Sequence, residues 1–119
     1  MKTPPYVVER EWNWVILPLL DSRLDMLEGE WMGSRRISRE ARTRAREVTE
    51  ATRMRLGSLA RLCGVDMNAT ETPRNASTPL WLLAGAANRD RRRAMALRAS
   101  VDRGLAALEQ MMDEVRRDA

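Results

Sequence analysis

The residues best equipped for chemistry in this chain are arginines. Residues 34–64 hold nine basic and three acidic groups. On a helical wheel Arg35, Arg39, Arg42, Arg46 and Arg53 fall within about 60° of one another, beside an apolar face. A line of guanidinium groups can grip phosphates or carboxylates bidentately, and each phosphate it neutralises releases counterions. The stripe is therefore a candidate surface for DNA or RNA backbone, or for an acidic protein. A second group, Arg89, Arg92 and Arg93, lies further along. If the second and third helices form an antiparallel hairpin with residue 62 near 79, residues 42–53 face roughly 88–99 and the two groups meet. The competing expectation is a solvated stripe, or one paired with Asp21, Asp25, Glu28 and Glu30. Those acids belong to a first segment, 1–33, with six acidic and three basic groups.

No aromatic residue interleaves the arginines, which argues against stacking on single strands. Nor do the expected turns fit a helix-turn-helix pair. Any nucleic-acid contact is then expected at phosphates, with weak sequence specificity. The arginine bias itself, with Lys2 the single lysine, fits a GC-rich genome as readily as a need for phosphate contacts.

Other chemistries find little support. Histidine is absent, which removes the commonest general base and metal ligand. The one cysteine, Cys63, excludes an intrachain disulfide and suits a reducing cytoplasm. It follows Leu59 and Leu62 near a helix end and reads as a packed thiol. No Ser/His, Cys/His or paired-acid arrangement stands out, so no enzymatic activity, cofactor or metal is expected. The first residues lack an apolar run behind a basic head, and the apolar stretch Trp14–Leu20 is interrupted by Pro18, so neither a signal peptide nor a membrane span is expected. The sequons at Asn68 and Asn75 then read as polar loop.

These arginines must be positioned by helices. The low aromatic content, 4%, leaves Leu, Ala, Val and Met to build the core, good helix formers apart from Val. After an extended arm over 1–6, a first helix is expected over about 7–32. Val8, Trp12, Val15 and Leu19 share one face. Beyond Pro18 the stripe shifts to Leu20, Leu24, Leu27 and Trp31, which predicts a kink or break at the proline. A second helix is expected over 38–63, capped by Ser38 and stopped by Gly64. Its inner face is Ala41, Ala45, Val48, Thr52, Leu56, Leu59 and Cys63. A loop over 64–78 leads to Thr78-Pro79, a strong helix start, and a third helix over 79–117. There Leu80, Leu83, Ala87, Ala94 and Leu97 lead into Val101, Leu105, Leu108, Met112 and Val115. From Val101 the spacing is 4-3-4-3, a heptad signature. A helix that long in a chain of 119 residues suggests a break, with Gly104 and 88–93 the weakest points, or a seam for assembly. Val101, Leu105, Leu108, Met112, Val115 and Trp31 are thus the candidate oligomer or partner interface.

The expected architecture is a single all-α domain, either a three-helix bundle or an elongated hairpin. Its layout, with the stop Leu59-Ala-Arg-Leu-Cys-Gly64 and Asn88 early in the third helix, resembles flagellar export chaperones. The long hairpin resembles the oligomerisation hairpin of phage small terminase subunits. Neither likeness carries a shared motif, so no residue role is transferred. The expected function is a non-enzymatic, cytoplasmic, oligomeric binding protein that engages nucleic-acid backbone, in an accessory or regulatory setting such as a phage or mobile element. The alternative is a chaperone or adaptor that holds a partner's amphipathic helix on Leu, Met and Trp faces.

Overall fold

The computed structural model describes the backbone of residues 5–64 and 84–117, with side chains at 16–64 and 92–117. Three helices make up this part: α1 (Pro5–Gly33), α2 (Arg39–Cys63) and α3 (Ala84–Arg117). Their relative directions follow from cross-helix pairs. Trp31 meets Thr49 and Asp25 meets Arg53, so α1 and α2 run antiparallel. Arg23 pairs with Glu109 and Glu30 with Arg116, equal steps along both helices, so α1 and α3 run parallel. The result is an up-down-up bundle, all-α, without strands among the described residues. The bundle, not the elongated hairpin, is the architecture adopted.

Helix α1 starts at Pro5, two residues before the expected Val7. Proline suits a first helical position, where its missing N–H is not needed. The break allowed for at Pro18 does not occur, and α1 continues through it to Gly33. Leu17, just before the proline, and Leu24, a turn and more beyond it, are both fully buried. Packing of one face on both sides offsets the lost backbone hydrogen bond. The buried line Leu17, Leu24, Leu27 and Trp31, with Leu20 half-buried in it, keeps a 3-4-3-4 spacing. Leu19, assigned to an inner face, is instead 58% exposed, because two residues turn the helix by about 200° from Leu17.

Helix α2 begins and ends as its sequence dictates. Ser38 accepts from the Ala41 backbone N–H at 3.1 Å, which satisfies one orphan donor of the first turn. Gly64 turns left-handed at φ 66° and donates to the carbonyls of Ala60 and Arg61. Of the expected inner face, Ala45, Thr52, Leu56 and Leu59 are buried and Ala41, Val48 and Cys63 half-buried. Ile37, Thr49 and Ala60 join them in the core.

Helix α3 supplies Val101, Leu105, Leu108 and Met112, all buried, with Ala94, Leu97, Met111 and Val115 packed around them. Gly104, expected as a weak point, packs directly against α2. A Cβ there would overlap Thr52 Oγ1 and lie 3.2 Å from Thr52 Cβ. That contact corrects the expected register. With Gly104 against Thr52 in an antiparallel pair, residue 93 lies near 63, not near 48. The closest approach of a small residue sets the register here, not the shortest loop between helices.

The 65–78 part of the expected loop, both sequons, the start at Thr78-Pro79, and Leu80, Trp81 and Leu83 lie outside the described residues. So do the side chains of Val8, Trp12, Trp14, Val15, Ala87, Asn88 and Arg89.

Candidate nucleic-acid interface

The arginine line on α2 divides into two groups with different work. Two of its members face α1 and are occupied. Arg53 donates to Asp25 at 2.8 Å and to Glu28 at 3.2 Å, with Asp21 at 3.8 Å. The hydrogen bond with Asp25 foremost, despite some burial, holds the Arg53 guanidinium above its ordinary pKa. Three carboxylates around one cation leave a surplus of negative charge. Burial first, then the neighbouring Asp25 charge, pushes the Asp21 carboxyl up, and Arg53 offsets part of this.

Arg42 is occupied by backbone. Helix α1 has no basic residue in its last turn. It also lacks a left-handed glycine, since Gly64 alone has positive φ among the described residues. Its last carbonyls therefore need donors from elsewhere. Arg42 donates through Nη1 to the carbonyls of Trp31 (3.3 Å) and Met32 (3.2 Å), and through Nη2 to Ser34 (2.6 Å). A cation at the negative end of the helix dipole is favourable there.

The remaining members face outward. Arg35, Arg39 and Arg46 are exposed, as are Arg36 and Arg44, and none forms an ion pair among the described residues. Between 35 and 46 the chain carries six arginines against one acid, Glu40. Glu50 stands four residues after Arg46, but in the arginine-first order that favours helical pairing least. The turn that carries the first two arginines is held at several points. Ser34 Oγ accepts from the Arg36 backbone N–H at 3.3 Å, Ser38 caps α2, and Ile37 is buried in the core. What results is a fixed basic corner where α1 passes into α2.

The second arginine group does not join this corner. Arg92 and Arg93 are exposed near the far end of α2, about 25 Å from Arg46 at 1.5 Å per residue. The meeting expected from residue 62 beside 79 fails with the register on which it depended. Arg61, near the same end, is likewise exposed.

The candidate assembly seam is filled from within. Val101, Leu105, Leu108, Met112 and Trp31 are buried in the core of the single chain, and Val115 is half-buried against it. The α3 heptad reflects packing on α1 and α2. Trp31 is 3% exposed and donates from Nε1 to Thr49 Oγ1 at 3.1 Å, so its one polar atom is satisfied where it is buried. Among the described residues the exposed large apolar side chains are Leu19, Met26, Met32, Met54 and Met95.

Neither the burial of Thr49 nor the capping role of Arg42 is legible in the sequence. For the latter, Gly33-Ser34 reads as an ordinary helix end, and only the structure shows that Gly33 does not turn left-handed. Among the described residues no group of three or more His, Cys, Asp or Glu could hold a metal ion. No described helix is long and apolar enough to cross a membrane. Comparison with protein-family models, with curated proteins and with solved structures found no match for the chain.

Proposed function

We propose that this protein is a non-enzymatic cytoplasmic binding protein that holds nucleic-acid backbone on the basic corner formed by Arg35, Arg36, Arg39 and Arg46. The observation that carries the reading is the division of the arginines. The α1 acids that face α2 are spent on Arg53 and the carbonyls at the end of α1 on Arg42. Arg35, Arg36, Arg39 and Arg46 remain exposed without an ion pair among the described residues, although Glu40, Glu47 and Glu50 share the helix. Charge left unneutralised on a rigid element attracts a polyanion and costs no internal pair when it binds. Contact is with phosphates, so sequence preference is weak. Capture of a partner's amphipathic helix is less favoured, because it needs an open apolar face and the Leu and Met residues suited to it in α3 are mostly buried.

The test is an anisotropy titration with labelled duplex and single-stranded oligonucleotides across a range of salt. Binding to duplex is expected to weaken with a log–log slope of about −3 to −4, for three or four phosphates at roughly 0.9 each. The triple reversal Arg35→Glu, Arg39→Glu, Arg46→Glu should abolish it, while Arg92→Glu with Arg93→Glu should leave most of it. No binding of either nucleic acid at low salt would sink the reading.

A further inference from the structure

Resting on that reading, we infer that Arg42 is the positioning residue of the basic corner: it locks the 34–38 turn onto the end of α1 and does not itself touch the polyanion. Its guanidinium donates to three carbonyls, those of Trp31, Met32 and Ser34. Both terminal nitrogens are thereby turned toward α1 and away from any ligand on the outer face. The three carbonyls belong to the last turn of α1 and the first residue of the connection. One side chain from α2 therefore fixes how the two helices and the turn between them meet. Arg35, Arg36 and Arg39 project from that junction.

Nothing within α1 replaces it, since α1 lacks both a basic last turn and a left-handed stop. A lysine would keep the charge but present a compact ammonium in place of a planar fork, and could not span the same carbonyls. Preorganisation lowers the ordering cost of each arginine that the ligand must immobilise. Loss of the fork should therefore weaken binding while the number of phosphates contacted stays the same.

The experiment compares the full-length wild type with Arg42→Lys, Arg42→Gln and Arg46→Gln. It uses a fluorescein-labelled duplex of about 20 base pairs between about 50 and 200 mM salt. All measurements are made below each variant's thermal transition. Arg42→Lys is expected to bind about tenfold more weakly at every salt concentration, with the wild-type slope. Arg42→Gln should also keep that slope, whereas Arg46→Gln should lose about one unit of it. Without nucleic acid, Arg42→Lys should speed tryptic cleavage after Arg35 and Arg36, which reads the turn directly. Wild-type affinity in Arg42→Lys, or a slope reduced in Arg42→Gln as in Arg46→Gln, would overturn the positioning role and leave the binding reading standing. Unchanged cleavage of the turn would overturn the lock itself. Failure of the wild type to bind any duplex removes the binding reading, and with it this inference.

Discussion

Asp21 and Asp25 share one arginine but stand in different relations to it. Asp25 accepts directly from Arg53 at 2.8 Å, whereas Asp21 lies at 3.8 Å. Its carboxyl is raised, by burial first and by Asp25 second. A carboxyl with a raised folded pKa binds its proton more readily in the folded chain than in the unfolded one. Its ionisation therefore opposes folding above the folded pKa, and that cost disappears as pH falls. At pH 7 Asp21→Asn is expected to leave the thermal midpoint unchanged or to raise it. Asp25→Asn should destabilise by up to about 1 kcal/mol, the range of exposed pairs, which lowers the midpoint by a few degrees. Near pH 3, below the unfolded carboxyl's ~3.9, wild type and Asp21→Asn should converge. Calorimetry at the two pH values checks the signs; an Asp21→Asn midpoint below that of Asp25→Asn at pH 7 contradicts them. The presence of acids near the stripe was legible in the sequence. Which arginine they would take was not, because Arg42, Arg46 and Arg53 differ by only about 20 to 40° on the wheel, and the path of α1 decides among them.

At the scale of elements, the contact between Gly104 and Thr52 sets how α2 and α3 pack. Glycine inside a helix ordinarily costs about 1 kcal/mol relative to alanine, so Gly→Ala in an open helix stabilises. Here the added methyl would overlap Thr52 Oγ1. Thr52 is buried with no hydrogen-bond partner for that oxygen, and its close neighbours leave it little room to move aside. Gly104→Ala is expected to destabilise by about 1 to 3 kcal/mol, with partial recovery when combined with Thr52→Ala. Chemical denaturation of the two single variants and the double variant measures this. A stabilised Gly104→Ala would mean that the helices slide apart at little cost. The element ends were easier to read than this crossing. Ser38 and Gly64 are local signals and both act where they stand. Pro18 was also a local signal, yet its outcome depended on the burial of Leu17 and Leu24 on either side.

For the molecule as a whole, the α3 heptad raises the question of which surface it serves. Heptad spacing tells that a helix has a partner, not whose chain the partner comes from. Leu108 is 1% exposed within the single chain, and the same line includes Val101, Leu105 and Met112. Leu108→Ala is therefore expected to cost about 2 to 5 kcal/mol, with a midpoint that does not vary with protein concentration. A midpoint that climbs with concentration would return the line to an intermolecular contact.

The sequence by itself determined the secondary structure, the helix caps, most of the core and the concentration of arginine in one segment. These depend on neighbours three or four residues apart, and helical periodicity exposes them directly. Tertiary structure alone decided the register of α3, the passage of α1 through Pro18 and the division of the arginines. Each of those depends on which faces of different helices meet. Gly104 against Thr52 settles the first, burial of Leu17 and Leu24 the second, and the course of α1 beside Arg42 and Arg53 the third. No spacing along a single helix contains that information.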